Sequence, residues 1–144
     1  MSYSIYIGER MNHEPDEDEN PRSDFAKSES HPDAPRFDND YLTENSNGRH
    51  PAYAGWYNFV DRAGLTDLFF NNKTGLMREH EGCENITSEH LKQVQDALTA
   101  WPKDKQPGFG ENEGKDGILA RLIWLEWWMR WAIENCKTPC LSNT

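Results

Sequence analysis

Long apolar runs are missing from this chain. No stretch reaches the roughly 18 apolar residues that a membrane-spanning helix needs. The longest apolar segment, Ile118–Ile133, is broken by Arg121, Glu126 and Arg130, so it reads as a core helix. The opening Met1–Ile7 has neither a basic region nor an extended apolar stretch, which excludes a secretory signal. Cysteine is scarce: three residues, an odd count, point to reduced thiols in a cytoplasm rather than to a disulfide framework. The sequons Asn72-Lys73-Thr74 and Asn85-Ile86-Thr87 then carry no sugar.

Catalytic signatures are lacking too. The glycine-rich run Gly108–Lys115 departs from the phosphate-loop spacing: Asp116 stands where a hydroxyl is needed, and Glu111 and Glu113 would repel phosphate. Asp38-x-Asp40-x3-Glu44 has neither the glycine nor the length of a calcium loop. There is no serine elbow and no HExxH. The chain is expected not to be an enzyme and to carry no cofactor. His80-x2-Cys83 and Cys136-x3-Cys140 have zinc-like spacings, but neither is a CxxC knuckle. Ordinary thiols are the reading adopted, with no metal.

Basic charge is thin where acid is dense. From Glu9 to Glu44 there are twelve acids and four bases, and the whole chain carries a formal charge of −10. Such a field repels nucleic-acid backbones and suits a basic partner surface, including one that ordinarily holds DNA or RNA. A solvated acidic loop is the plainer alternative. Large apolar residues are also rare before Tyr53, where Phe25, Phe37, Tyr41 and Leu42 are the candidate anchors. Residues 11–47 are therefore read as an acidic loop within a single domain spanning 1–144.

The remainder is patterned. Ser2–Ile7 alternates and predicts a short strand. Tyr53, Trp56, Phe59, Val60 and Ala63 recur at helical spacing over Pro51–Ala63, with Gly64 as the stop and Leu65 behind it. Asp67–Phe70, Asn71–Thr74 and Gly75–Arg78 read as a small hairpin. Thr87 or Ser88 can cap a second helix that ends at Ala100 before Pro102. A third helix spans Asp116–Cys136. The expected fold is α+β, mainly α: three principal helices packed around a tryptophan-rich C-terminal helix, with a short N-terminal strand and the hairpin.

On that last helix Glu126, Arg130, Glu134 and Lys137 form one charged stripe, read as the solvent face. Trp124, Trp127, Trp128 and Trp131 fall within about 100° of each other by helical-wheel arithmetic. They fill a small core or form an aromatic wall for a ligand or partner; core is the commoner fate. Arg121 projects among Leu125, Trp128 and Ala132, so it needs a buried partner or lines a pocket. Asn47, Arg49 and His50 lead into the first helix, as a capping turn or, with Arg78 and His80, as a polar pocket. The candidate binding residues are thus Asn47, Arg49, His50, Trp56, Arg78, His80, Arg121 and Trp128.

Six stretches, Ser2–Gly8, Ser46–Pro51, Tyr53–Phe59, Asp67–Phe70, Gly75–His80 and Leu119–Asn135, together resemble an uncharacterised family of small phage- and prophage-encoded proteins. Cys140 lies outside that pattern. The resemblance transfers no activity, but it implies a phage accessory protein acting in the cytoplasm of an infected bacterium. The leading expectation is a binder that inhibits a bacterial host protein of the defence kind, without direct nucleic-acid or membrane contact and with self-association open. One alternative is a small-molecule binder sequestering a nucleotide signal, with Trp56 or Trp128 stacking the base and Arg49, Arg78 or Arg121 holding phosphate. The other is a small hydrolase using His50 and His80. If the acidic segment captures the partner, neutralising Asp16, Glu17, Asp18 and Glu19 weakens binding.

Overall fold

The computed structural model describes residues 1–13, 23–37, 45–110 and 114–144. Its elements are β1 (Ile5–Met11), β2 (Phe25–Ala26), β3 (Gly48–Arg49), α1 (Tyr53–Arg62), α2 (Thr66–Phe70), β4 (Gly82–Asn85), α3 (Ser88–Ala100), β5 (Gln106–Pro107), β6 (Lys115–Asp116), α4 (Gly117–Asn135) and β7 (Pro139–Asn143). The expectation of a mainly helical domain with three principal helices is overturned. Of the described residues 38% are helical and 22% lie in strands or bridges, and their four helices pack with a curled antiparallel sheet. Among the described residues no helix is long and apolar enough to cross a membrane.

The sheet runs β2-β1-β7-β4, and β3 also pairs with the start of β1. The N-terminal strand is therefore longer than the alternation of Ser2–Ile7 indicated, and it is central. Its core-facing residues Ile5 and Ile7 are fully buried, as is Leu141 of β7. β7 had no sequence signature. Pro-Cys-Leu-Ser-Asn is neither alternating nor β-branched, and its partners Ile5–Glu9 lie at the other end of the chain. At that junction the Glu9 carboxylate accepts the backbone N–H groups of Lys137 (2.8 Å) and Thr138 (2.6 Å), which tie the turn after α4 to β1. These bonds hold the Glu9 carboxyl below its ordinary pKa.

The expected hairpin is not formed. Thr66–Phe70 is helical because Leu68 and Phe69, adjacent in sequence, both enter the core, which alternating strand geometry forbids. The turn itself is real: Asn71 Oδ1 accepts from the N–H groups of Lys73 and Thr74 at 2.9 and 3.1 Å. The chain then returns so that Leu76 and Met77 donate to Leu68 and Phe69. Gly75 is required there, since a Cβ would lie 2.4 Å from the Phe69 carbonyl oxygen.

Helix ends follow the local chemistry. At the end of α1, Gly64 takes a φ of 73°, and the buried Leu65 donates back to the Val60 carbonyl at 2.8 Å. That is the six-to-one bond of a Schellman stop. Thr87 and His90 form a reciprocal capping box at the start of α3. Asp116 caps α4 by accepting from Ile118 and Leu119, while its other oxygen takes the Trp101 indole N–H at 2.6 Å. One carboxylate thus joins the end of α3 to the start of α4.

His90 also gives the fold a pH dependence. Its Nδ1 accepts from the Thr87 N–H at 3.0 Å, which requires that nitrogen to be unprotonated. Burial lowers its pKa against a small opposing effect of Glu89. As pH falls through about 6.5, the unfolded chain takes up this proton first, so stability is full above that pH and declines below it. Chemical denaturation across this window should show the decline. His90→Gln, which retains a capping-box side chain, should remove this residue's share of it.

Trp56, Trp124 and Trp128 are fully buried, with Phe59, Phe69, Leu122, Leu125 and Met129 around them. Trp127 and Trp131 pack partly buried against this core. The charged stripe of α4 is not wholly a solvent face. α3 lies alongside it, Gln95 reaches Glu126 at 3.3 Å, and Glu126 pairs with Arg130 at 2.9 Å. The acidic segment is partly placed: β2 joins the sheet, Ala34 is buried, Phe37 packs on the core and His31 meets the Trp127 ring at 5.3 Å. The anchors Tyr41 and Leu42, and the acids Glu14 to Glu19, Asp38, Asp40 and Glu44, lie outside the described residues, as do Glu111 and Glu113.

Candidate functional site

The structure sorts the eight candidate residues into four settings. Trp56 and Trp128 belong to the core. Trp56 packs on Phe59 and Phe69 at 4.9 and 5.5 Å, and Trp128 on Trp127 and Trp131 at 4.9 and 5.2 Å. With no exposed surface, neither ring offers a face to a ligand.

Asn47 is a buried cross-link. Its Nδ2 donates to the carbonyls of Ile7 and Lys27, both at 2.8 Å, and its Oδ1 accepts from the Glu29 N–H at 2.9 Å. The turn it belongs to does not cap α1, whose N-cap Ala52 has no side-chain bond. The segment becomes β3 because Gly48 lies under the Tyr6 ring, where a Cβ would sit 2.4 Å from the ring carbon. His50 lines the same strand on the side of Ser4 (Nδ1 to Oγ, 3.1 Å) and Tyr6 (5.9 Å between rings).

Arg49 and Arg121 come together, which spacing alone did not show. Both guanidinium carbons lie 5.0 Å from the centre of the Phe109 ring, and that of Arg49 is also 5.5 Å from Trp124. Arg49 is fully buried and Arg121 half-buried. β3, α4 and the loop carrying Phe109 thus converge on one cationic–aromatic centre. Cation–π contact of this kind stabilises a desolvated guanidinium. Phe109 escaped the sequence reading because it stands alone in a polar, glycine-rich loop.

His80 occupies a different place. Its ring meets Tyr3 at 5.3 Å and Tyr53 at 5.8 Å, both edge to face. Tyr3 in turn contacts Tyr53 at 4.5 Å and Tyr57 at 6.2 Å, and Tyr57 lies 4.7 Å from Phe70. These rings form a continuous aromatic cluster in which buried Tyr3, ahead of β1, backs the more exposed Tyr53 and Tyr57 of α1, Phe70 of α2 and His80 of the following loop. The Tyr3 hydroxyl donates to that of Tyr57 at 2.9 Å, and burial and this bond raise the Tyr3 pKa. Tyr57 is 50% exposed and His80 is exposed, flanked by exposed Glu79 and Glu81. Arg78 pairs with Glu84 at 2.9 Å and anchors this loop to β4.

His50 and His80 take neighbours, Tyr6 and Tyr3, on opposite sides of the extended N-terminal chain, so their placement lends nothing to a two-histidine hydrolase. Tyr53 and Tyr57 stand four residues apart on α1, a spacing that is legible as a surface pair. Among the described residues no group of three or more His, Cys, Asp or Glu could hold a metal ion. No family model, no curated protein and no solved structure matches this chain.

Proposed function

We propose that this chain is a non-catalytic phage accessory protein that binds and inhibits a bacterial host protein, of the defence kind, in the host cytoplasm. The observation that carries the binding part is the aromatic face of Tyr53, Tyr57, Phe70 and His80, backed by the buried Tyr3. Tyrosine supplies large, stiff contact area with a polar tip, which is why it concentrates at protein interfaces. Here Tyr57 is half-exposed, and its hydroxyl is held by the buried Tyr3. Exposed Asp61, one helical turn from Tyr57, and Glu79 and Glu81 beside His80 rim the face with negative charge. Together with a net charge of −10 this selects a basic partner. The phage setting rests on the sequence resemblance.

Affinity capture from host lysate tests this reading. Tyr57→Ala removes a half-exposed ring and leaves the core intact, so the variant folds normally. It should raise the Kd about thirtyfold, the cost of losing a hot spot of about 2 kcal/mol. Retention by the wild type should weaken as salt rises. Equal capture by both proteins would remove the tyrosine face from the interface.

Half-buried Arg121 beside the partly covered Phe109 ring favours a second reading, a binder of an anionic nucleotide. Tight binding would raise the Tm by mass action, and Arg121→Gln would abolish the rise. No shift across cyclic and linear nucleotides would sink this reading.

A further inference from the structure

Cys83 of β4 and Cys140 of β7 stand on neighbouring antiparallel strands. The register sets Cys83 opposite Ser142 and Cys140 opposite Asn85, so the two thiols are diagonal neighbours on one face of the sheet. This is the face turned away from the tryptophan core. Ala26 of β2 folds over it, donating its N–H to Ser142 Oγ at 2.9 Å, and encloses the thiols with Tyr6 in a small cluster. The two thiols pack in that one cluster, and both feel the positive charge of Arg10. Arg10 is held in place by Asp24 at 2.8 Å and Asn85 at 2.9 Å.

We propose that Cys83 and Cys140 are a two-electron redox pair which a peroxide oxidises to a cross-strand disulfide. The two positions are unequal in the way such a pair requires. Cys83 keeps 8% of its surface exposed and Cys140 none, so Cys83 meets the oxidant. The neighbouring Cys140 thiol, then the charge of Arg10, hold the Cys83 thiol below its ordinary pKa despite its burial; Cys140 keeps its proton. The Cys83 thiolate attacks one peroxide oxygen, the O–O bond breaks, and the departing hydroxide takes a proton to leave as water. Cys83 is then a sulfenic acid. The Cys140 sulfur attacks it, the S–O bond breaks, and the expelled hydroxide leaves as water with the Cys140 proton. Two thiols and one hydrogen peroxide become one disulfide and two waters.

Diagonal positions on antiparallel strands lie about 7–8 Å apart at Cα, so closure to a bond of about 2.05 Å asks for a movement of the strand backbone. β4 can supply it, being a four-residue strand at the sheet edge with β7 as its partner. The third cysteine is an internal control. Cys136 sits half-buried at the end of α4, where burial and the charges of Glu9 and Glu29 push its pKa up to about 11. A thiol so protonated reacts slowly with peroxide.

The test is titration of the folded protein with hydrogen peroxide, followed by thiol counting, intact mass and a non-reducing peptide map. The free thiols should fall from three to one. The mass should drop by two hydrogens, and one linked peptide should join Cys83 to Cys140. Dithiothreitol should restore all three thiols. In Cys140→Ser the Cys83 sulfenic acid should persist and be trapped by dimedone. Oxygen addition without a linked peptide, a link through Cys136, or a disulfide-bonded dimer would overturn the pairing. The wild-type map decides this even if a serine variant folds poorly.

Discussion

Trp128→Ala is expected to lower the unfolding free energy by about 3–5 kcal/mol, the range for deleting a large aromatic from a close-packed core. Trp128 has no exposed surface and packs edge to face on two further tryptophans of the same helix. Its removal leaves a cavity that α4 cannot close, because Leu125, Met129 and Ala132 beside it are themselves fully buried. A domain stable by only about 5–15 kcal/mol then loses a large share of its margin. Trp131→Ala should cost visibly less, since that ring is only partly covered. Urea denaturation of both variants checks the order. Equal losses would mean that the tryptophan cluster is not graded from core to surface as described.

Asn47→Ala should be nearly as damaging although it removes only a carboxamide. Three backbone groups from two chain segments lose their partner at once: the Ile7 and Lys27 carbonyls and the Glu29 N–H. An orphaned buried group costs about 1–3 kcal/mol; the Ile7 bond is buried and the other two part-buried, so a total of about 3 kcal/mol is expected. Asn47→Asp separates shape from hydrogen bonding. It is nearly isosteric, yet it sets a carboxylate oxygen against two carbonyl oxygens, so it should match or exceed the alanine variant at neutral pH. An aspartate variant as stable as wild type would refute the cross-link.

Much of this was legible locally. Gly64 with Leu65, Thr87 before an amphipathic run and Asp116 ahead of the apolar helix each mark a boundary through chemistry contained within a few residues, and all three helix ends stand where that chemistry puts them. The sheet was not legible for the opposite reason. β7 and β4 have no pattern of their own and become strands only against β1, whose pairing with β7 spans almost the whole chain. The apolar run Leu68-Phe69-Phe70 fits a strand or a helix equally by composition, and only the core position of adjacent residues decides it.

The candidate sites divide along the same line. Asn47, Arg49 and Arg121 were found as polar residues in positions that demanded partners, but what each contacts lies on distant segments. Trp56 and Trp128 drew attention as ligand platforms through their chemistry, whereas packing made them core. Of the surface that carries the proposed function only the Tyr53–Tyr57 spacing on α1 is legible, because Phe70 and His80 join it from α2 and the loop beyond.

Site-specific photocrosslinking in host lysate tests the central claim most directly. Tyr57→p-benzoyl-phenylalanine places the reactive group on the tyrosine face, and Lys92→p-benzoyl-phenylalanine places it on the exposed side of α3 as the control. A single host protein joined through position 57 and not through position 92 is the predicted result. No protein adduct at 57, or the same adducts from both positions, would contradict the proposal that this face holds the partner.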